Sequence, residues 1–364
     1  MKYIFKDRSY TIKRYPKTNQ SSLRAWNAAD EHILKYLEEE KIKLKNIVLY
    51  NDRFGFLSTL LAEHKPRTIL NFKSQEKSVE INLQSNDLEL ESIIKTGPLD
   101  KIKPCCNLVL IKIPKSLDLF RLQMEQLYRA SKKETIIICA FMTKYFSQQM
   151  LDICNEYYEL CDQSKAWKKS RLIVLKNKKK RKESEIKNEI NFSNSKKIVQ
   201  YFGVFSAKKI DYATQFFIEN MVITLSDNKI LDLGSGNGVL AYEAQRQKPD
   251  AEVHLVDDSF LAIESSKINV DPKRSFFYYQ DDLAHFEDNS FDMVLSNPPF
   301  HFEHEINIDV SISLFKEVKR CLKKGGSFQL VTSNHLNLKT QLHDFFHKVN
   351  VVDQNKKFII YNCT

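Results

Sequence analysis

The run Asp232-Leu-Gly-Ser-Gly-Asn-Gly238 places three glycines at alternate positions of one short turn. Glycine adopts positive φ angles at little steric cost and lets the backbone come close to a ligand. The apolar stretch 230–232 precedes the turn, and an amphipathic stretch, Val239–Gln247, follows it, so the local order is strand, turn, helix. This order predicts an open α/β sheet that holds a nucleotide-like cofactor at the carboxyl ends of its strands and at a helix N-terminus.

Length and composition limit the kind of protein. A chain of 364 residues exceeds one comfortable core and predicts two domains. Hydrophobic residues at 42% and charged residues at 28% are typical of a soluble globular protein. The longest apolar run, around 136–142, is far below the roughly 20 residues of a membrane span, and no apolar segment follows the N-terminus. We therefore expect a cytoplasmic monomer that does not associate with membranes.

The seven cysteines do not suggest a metal site or disulfides. They lack C-x-x-C spacing and histidines at zinc-site intervals, so we expect reduced thiols and no metal. Cys321 precedes what resembles a helix end, and we interpret it as a small core residue rather than a nucleophile.

The two halves of the chain share landmarks at a constant shift of 183 residues. The matched positions are Ile47-Val48-Leu49 with Ile230-Leu231-Asp232, Gly55 with Gly238, Leu57 with Leu240, Lys65-Pro66 with Lys248-Pro249 and, once a gap is opened and closed, Asn86 with Asn269. Both halves alternate apolar strands with amphipathic helices, as parallel α/β sheets do. We interpret this repeat as an ancient duplication.

The first half lacks the residues that would hold a cofactor. Leu49, Asn51 and Arg53 replace Asp232, Gly234 and Gly236, Asn71 is the nearest counterpart of Asp257, and Ile113-Pro114-Lys115 stands in place of Asn-Pro-Pro. A long cation therefore occupies a position where the backbone would approach a ligand. We expect residues 1–175 to form a degenerate domain that binds no cofactor and recognises the substrate.

Acidic residues follow the next two strands of the second half. Asp257 and Asp258 end the strand 252–256, some twenty residues beyond the last glycine, as a ribose-binding acid should. The alternative is that both cap the next helix. Asp281 and Asp282 follow Ser275–Tyr279, and we choose Asp281 as the acceptor for the adenine amino group. The candidate cofactor-binding residues are Asp232, Gly234, Ser235, Gly236, Asn237, Asp257, Asp258, Asp281 and Asp282.

The run Asn297-Pro298-Pro299-Phe300 ends the fourth strand, Phe291–Ser296. Asn297 Oδ1 and the Pro298 carbonyl can accept the two protons of a planar amine, and the two prolines stiffen the backbone. Phe300 offers a face on which a flipped base stacks. This tetrapeptide therefore predicts methyl transfer to an exocyclic or amide nitrogen; the alternative is a proline turn that merely ends a strand.

Positive charge is concentrated at the end of the first half. Residues 176–197 contain nine Lys or Arg against three Glu, out of a net charge of +10 for the chain. This basic linker could attract a polyanion, or it could be a solvated, mobile connection. Trp167 could stack on bases or close the core of the first domain. The candidate RNA-binding residues are Lys168, Lys169, Arg171, Lys179, Lys180 and Arg181.

These residues resemble the bacterial ribosomal RNA guanine-N2 methyltransferases that carry two methyltransferase domains in tandem, with only the C-terminal one active. In the second half the resemblance rests on Gly203-Val-Phe-Ser206 with Asp211, Asp232-Leu-Gly-Ser-Gly-Asn-Gly238, Val256-Asp-Asp-Ser259, Glu264-Ser-Ser-Lys-Ile-Asn-Val270 and Ser296-Asn-Pro-Pro-Phe-His301. In the first half it rests on Asn51-Asp-Arg-Phe-Gly55 and Ala166-Trp-Lys-Lys-Ser-Arg-Leu172, the latter more similar to the large-subunit enzyme.

The resemblance implies two Rossmann-like methyltransferase domains with seven-stranded, mostly parallel sheets, a catalytic domain over 198–364, S-adenosylmethionine as cofactor and N2 of one 23S rRNA guanine as target. Three features depart from the family pattern: Ala213 and Asp281 replace the usual residues, and the lysine tract is long. Rival hypotheses are an N5-glutamine protein methyltransferase, a DNA adenine methyltransferase and a catalytically silent rRNA-binding assembly factor. A peptide substrate would need neither the duplicated half nor the basic segment, and a pure binder would need neither Asp257 nor Asn297.

Overall fold

The computed structural model describes residues 1–17, 23–102, 106–193, 196–298, 301–302, 305–306 and 308–364, with the backbone alone described between 301 and 311. The chain divides into two compact units, Met1–Ile186 and Lys187–Thr364. We refer to them as unit 1 and unit 2.

Unit 1 is built on a seven-stranded sheet. Its strands are β1 (Lys2–Phe5), β2 (Arg8–Thr11), β3 (Ile47–Tyr50), β4 (Arg67–Ile69), β5 (Ile94–Thr96), β6 (Cys106–Lys112), β7 (Ser131–Met142), β8 (Tyr158–Gln163) and β9 (Ser170–Lys178), and its helices are α1 (Ala28–Glu39), α2 (Phe56–Leu60), α3 (Lys73–Gln84), α4 (Leu117–Ala130) and α5 (Gln148–Tyr157). The sheet order is β5-β4-β3-β6-β7-β9-β8, and β9 runs antiparallel to β7 and β8, the strands on either side of it. A separate hairpin, β1–β2, precedes the sheet.

Unit 2 repeats this topology. Its strands are β10 (Lys187–Ser193), β11 (Lys196–Tyr201), β12 (Lys229–Leu233), β13 (Glu252–Asp257), β14 (Ser275–Tyr279), β15 (Phe291–Ser296), β16 (His301–Phe302), β17 (Glu305–Ile306), β18 (Leu322–Ser333), β19 (Val349–Gln354) and β20 (Phe358–Cys363), and its helices are α6 (Tyr212–Asn220), α7 (Val239–Gln247), α8 (Phe260–Asn269), α9 (Ile308–Cys321) and α10 (Lys339–His343). The order β14-β13-β12-β15-β18-β20-β19 places β12, with the glycine turn, beside β15.

The central strands are buried on both faces, which explains why they read as continuous apolar runs. In unit 2 one face packs beneath α6, α7 and α8 around Phe217 and Leu255, and the other packs around Phe291 and Phe328. These two layers hold the carboxyl ends of β12, β13 and β15 in a fixed arrangement at one edge of the sheet. The tandem, seven-stranded architecture predicted from the sequence is confirmed.

The duplication extends further than the sequence match indicated, and part of that match was wrong. Asn82 Nδ2 donates to the Phe54 carbonyl at 2.6 Å, and Asn269 Nδ2 donates to the Asn237 carbonyl at 2.8 Å. Asn82, rather than Asn86, is therefore the counterpart of Asn269. The register is displaced because unit 2 carries four extra residues before β13, so that the shift becomes 187.

The strand registers of the two sheets correct two other matches between the halves of the chain. Tyr50 pairs with Ile111 and Leu233 pairs with Ser296, so the residue after each pair is Lys112 in unit 1 and Asn297 in unit 2. Lys112, not Ile113, thus stands in place of Asn297. By the β3–β4 and β12–β13 registers, Leu70 rather than Asn71 occupies the place of Asp257.

The segment 176–197, which we predicted to be a basic linker, lies largely in regular structure. β9 ends at Lys178 and β10 begins at Lys187, so residues 179–186 form the irregular connection. The hairpin β10–β11 belongs to unit 2 and packs against α8. Unit 2 therefore begins before residue 198, the start that we had expected.

Candidate active site

The glycine turn has the backbone geometry that its sequence predicted. Gly234, Gly236 and Gly238 have φ angles of 73°, 54° and 80°, all in the left-handed region. The N–H groups of Gly234 and Ser235 donate to the Val256 carbonyl at 2.8 and 3.1 Å. The turn is thereby tied to the end of the neighbouring strand β13.

Two of these glycines differ in what surrounds them. A Cβ atom on Gly238 would lie 2.9 Å from the Ser266 Cβ, so this residue allows α8 to pack against the turn. A Cβ atom on Gly236 would meet nothing within 4 Å. Gly236 therefore borders open space in front of the turn, where a ligand can approach the backbone.

Asp257 connects the end of β13 to that space. Its Oδ2 accepts the Gly236 N–H at 2.8 Å, and its Oδ1 accepts the Ser259 N–H at 2.7 Å. Each oxygen keeps one further lone pair, enough to accept two hydroxyl protons. Burial raises the pKa of Asp257 to about 6. The N-cap of α8 is Ser259, so neither Asp257 nor Asp258 occupies the cap position.

Three predicted cofactor-binding residues are almost fully buried. Asp232 is 0% exposed, its Oδ2 accepts the Ala241 N–H at 3.1 Å, and burial raises its pKa to about 7. Asn237 donates to Gln200 Oε1 at 2.7 Å, and Ser235 is 6% exposed. Through these contacts Asp232 holds the start of α7 and Asn237 holds β11, while their role toward the cofactor stays a prediction.

Two predicted cofactor-binding residues, Asp281 and Asp282, follow β14. Both Asp281 and Asp282 are half-buried, and Asp282 Oδ1 accepts the Ala284 N–H at 3.1 Å. This contact does not decide between the two acids, so the choice of Asp281, and its role toward adenine, stay predictions.

Asn297 extends from the end of β15, next to the strand that carries the glycine turn. Its Nδ2 donates to Thr214 Oγ1 at 2.9 Å and lies 3.5 Å from Asp211 Oδ2. Because both amide protons face these two groups, Oδ1 remains the atom available to a substrate. Pro298 is buried, whereas Pro299 and Phe300 lie outside the described residues.

The sequence analysis quoted Ser296 and Asp211 as part of the family resemblance but assigned neither a role in the site. Ser296 Oγ donates to the Leu233 carbonyl at 2.7 Å and joins the tips of β15 and β12. Asp211 caps α6 by accepting from the Ala213 and Thr214 N–H groups. An N-cap aspartate is visible in the sequence. Its approach to Asn297, 86 residues away, is not, because it depends on the packing of α6 against the sheet.

The loop that precedes α6 exposes two aromatic side chains. Phe205 is 68% exposed, and Tyr212, directly after Asp211, is 58% exposed. The Lys209 Nζ lies 3.6 Å from the centre of the Tyr212 ring. The side chain of Ser206 bonds to the Lys209 carbonyl at 2.5 Å, which holds the loop in place. We call Phe205, Lys209 and Tyr212 the aromatic loop.

Unit 1 fills the corresponding positions with its own side chains. Asn51 keeps the left-handed φ of Gly234, at 58°, and exchanges hydrogen bonds with the Gln123 amide. Arg53, 5% exposed, lies 5.2 Å from the Phe72 ring and donates to Ser74. The space that Gly236 leaves open in unit 2 is therefore occupied by a guanidinium in unit 1.

The candidate RNA-binding residues have different environments. Lys168 and Lys169 form the β8–β9 turn, with Lys168 Nζ 4.5 Å from the half-buried Trp167 ring and 3.0 Å from Glu31. Arg171 and Lys180 are exposed. Lys179 donates to the Asn155 carbonyl, while Arg181 lies 2.6 Å from Glu125 and 4.0 Å from the Tyr157 ring. Arg181 thus has the contacts of a structural residue.

Among the described residues, no group of three or more His, Cys, Asp or Glu side chains is arranged to hold a metal ion. In the same part of the chain, no helix combines the length and hydropathy needed to cross a bilayer.

Comparison with known proteins identifies the family. The family model described as RLMG N-terminal domain matches residues 1–181, and the one described as methyltransferase small domain matches 195–362. A protein of Yersinia enterocolitica named ribosomal RNA large subunit methyltransferase G is 31% identical over 97% of this chain and 91% of its own length. The chain belongs to this family. A protein of the same name from Psychromonas ingrahamii is 30% identical and is covered over 96% of its length.

As a member of the large subunit methyltransferase G family, the chain is an S-adenosylmethionine-dependent methyltransferase, as its motifs predicted. A solved structure, the T. thermophilus 16S rRNA N2 methyltransferase in complex with AdoMet and guanosine, superposes with a TM-score of 0.77 at 17% identity. The superposition covers 100% of this chain and 97% of the T. thermophilus chain, and it establishes that the two proteins share the tandem fold.

Proposed function

We propose that this protein transfers a methyl group from S-adenosylmethionine to the exocyclic N2 of one guanine in ribosomal RNA, the 23S rather than the 16S molecule. One observation carries the proposal. Both amide protons of Asn297 face Thr214 and Asp211, which leaves its Oδ1 as an acceptor at the strand tip beside the glycine turn.

The cofactor fits the residues that the site offers. Gly236 leaves open space before the turn, and Asp257 borders that space with two oxygens that can accept from ribose hydroxyls. Gly234, Gly236 and Asp257 would hold the nucleoside, with Asp281 near the adenine. When bound, S-adenosylmethionine supplies an electrophilic methyl group carried on a sulfonium.

The task of the protein is then to present a poor nucleophile. The N2 lone pair of guanine is delocalised into the ring. If Asn297 Oδ1 and the Pro298 carbonyl accept its two protons, the amine is held in one orientation with its lone pair toward the methyl group. No strong general base is needed, because the methylated amine is cationic and loses a proton readily. Alignment and exclusion of water supply the rate enhancement.

The choice of RNA rests on the relatives and on surface chemistry. The relatives that cover nearly the whole chain are named for the large ribosomal subunit. The aromatic loop exposes two rings and carries a cation just before α6, the helix whose Thr214 contacts Asn297, and unit 1 exposes Lys169 and Arg171. Rings interleaved with cations bind single-stranded nucleic acid by stacking and by phosphate contacts. We propose that RNA runs across the aromatic loop and that the enzyme works in the cytoplasm, where ribosomes assemble.

The rival functions make different demands. Asn297 could also bind a glutamine amide, but a peptide substrate would need neither the duplicated unit nor its cations. A silent assembly factor would have no use for a strand-tip asparagine with a fixed amide.

The test is direct. The protein is incubated with methyl-labelled S-adenosylmethionine and, separately, unmodified 23S rRNA, 16S rRNA, duplex DNA and a release factor. Nucleosides and peptides are then identified by mass spectrometry. We expect N2-methylguanosine at a single position of 23S rRNA; label confined to protein glutamine or to DNA adenine would overturn the proposal.

A further inference from the structure

We infer that Asp211 and Thr214 act together as positioning residues that fix the orientation of the Asn297 side-chain amide. This orientation makes the site select an amino group over a carbonyl. The inference rests on the proposed function, since it concerns how the same site distinguishes its substrate. It concerns the N-cap residue of α6 and a residue in the first turn of that helix, which would touch neither the cofactor nor the reacting nitrogen.

The geometry places both groups on one side of the amide. Thr214 lies in the first turn of α6, is 7% exposed, and its Oγ1 is 2.9 Å from Asn297 Nδ2. Asp211 Oδ2 is 3.5 Å from the same nitrogen. The Asp211 carboxylate also accepts from the Ala213 and Thr214 N–H groups, so the start of the helix is held rigidly.

Each residue supplies what the other lacks. A hydroxyl both donates and accepts, so Thr214 alone would bond to the amide in either orientation. An ionised carboxylate only accepts, and it would repel Asn297 Oδ1 if the amide turned over. Thr214 therefore sets the position of the amide, and Asp211 sets its direction.

The consequence concerns the substrate. With Nδ2 committed to α6, the strand tip presents Oδ1 and the Pro298 carbonyl, two acceptors and no donor. An NH2 group satisfies both, whereas a ring carbonyl would face two oxygens and lose its own hydrogen bonds. A guanine presenting N2 is accepted, and the same base presenting O6 is rejected.

Unit 1 has a comparable contact at the corresponding position. Lys112, which stands in place of Asn297, donates from Nζ to Asp30 Oδ2 at 2.9 Å. Asp30 lies in the first turn of α1, three residues after its N-cap Asn27, as Thr214 lies three residues after Asp211. The contact between strand tip and helix start is retained, but a lysine leaves no acceptor for a substrate.

The test uses the full chain with 23S rRNA as substrate. Thr214→Val keeps the shape and removes the acceptor; we expect kcat to fall about 5- to 10-fold, the effect of one lost hydrogen bond, with the Kd for S-adenosylmethionine changed by less than about 2-fold. Thr214→Ser should restore most of the loss. Asp211→Asn keeps a good helix cap and should lower kcat by a similar factor. Thr332→Val, at a buried hydroxyl that lacks a hydrogen-bond partner among the described residues, is the matched control.

A double-mutant cycle separates positioning from a merely structural role. In an Asn297→Ala background, Thr214→Val should have no further effect on the residual rate. Full activity of Thr214→Val, or losses that add in the double variant, would overturn the inference. Failure of the wild-type protein to methylate any rRNA would instead overturn the proposed function.

Discussion

Oδ2 of Asp257 accepts the backbone N–H of Gly236 across the junction of β12 and β13, at 2.8 Å. This bond joins the acid expected to hold the ribose to the glycine that borders open space. A cofactor at this site would therefore meet both residues at once, and the protonation of Asp257 affects the turn as well as the ligand.

Binding of S-adenosylmethionine should weaken in mild acid. Burial raises the pKa of Asp257 to about 6, and the ionised form is the better acceptor for two hydroxyl groups. We expect a constant Kd above pH 7 and a Kd roughly tenfold higher at pH 5, as the ionised fraction falls. Calorimetry from pH 5 to 8 measures this. Asp257→Asn should bind weakly at every pH, and a pH dependence that persists in this variant would assign the titration to another group.

Alanine at two glycines of the turn should affect different properties: folding stability at Gly238 and ligand binding at Gly236. Gly238→Ala places Cβ 2.9 Å from Ser266 Cβ at a φ of 80°, so we expect a loss of stability of about 2 kcal/mol or more. Gly236→Ala meets no atom within 4 Å and carries only the cost of its φ, about 1 kcal/mol, but it fills the approach of the ligand. Thermal melts and calorimetry on both variants should separate a folding defect from a binding defect.

Asp232→Asn should stabilise the protein at high pH alone. Burial raises the pKa of Asp232 in the folded protein to about 7 from its ordinary value of 3.8. The folded state therefore binds the proton more tightly, and stability falls as pH rises between these two values. Asparagine removes a penalty on the order of 2–4 kcal/mol at pH 8 and changes little at pH 4. The melting temperatures of both proteins at the two pH values give the comparison; an equal gain at both would contradict it.

Replacing Asn297 should reduce turnover without weakening cofactor binding. Asn297→Ala removes the oxygen that would hold the amine but leaves the glycine turn and Asp257 untouched. We expect turnover to fall by about 100-fold or more, on the scale of losing an aligning group, while the Kd for S-adenosylmethionine changes by less than about 2-fold. Equal losses in both would make Asn297 a structural residue.

The aromatic loop should contribute RNA affinity. Phe205→Ala combined with Tyr212→Ala removes two exposed rings, each able to stack on a base for roughly 1–3 kcal/mol. We expect the KM for RNA to rise at least tenfold with unchanged cofactor affinity. Leu225→Ala, at a residue 93% exposed in the connection before β12, is the matched control and should change neither. A weakened cofactor Kd would instead place Phe205 in the cofactor site.

The sequence predicted the features that depend on short stretches of chain. Three glycines between a strand and a helix indicated the turn, and an asparagine with two prolines at a strand end indicated the amine site. The lost glycines of the first half indicated a degenerate copy, and the structure shows Asn51 and Arg53 filling the corresponding space. The turn is confirmed by its three positive φ angles because backbone conformation is a local property, whereas the amine site and the loss of cofactor binding in the first half stay predictions.

Features that depend on packing could not be obtained in this way. The sequence predicted Asp232 as a cofactor-binding residue, but it did not indicate that Oδ2 of this side chain accepts the Ala241 N–H of α7. The matches of Asn86 and Ile113 failed because four residues inserted before β13 and the strand registers are visible only in the sheet. The bond between Thr214 and Asn297 joins residues 83 positions apart and depends on where α6 rests on the sheet.

The most direct test of the account is a crystal structure of the protein with a sulfonium-free cofactor analogue and guanosine. We predict that the guanine N2 lies within about 3.2 Å of both Asn297 Oδ1 and the Pro298 carbonyl, with the analogue beside Gly236 and Asp257. A guanine whose N2 points away from Asn297, or an analogue bound away from the glycine turn, would contradict the central claim.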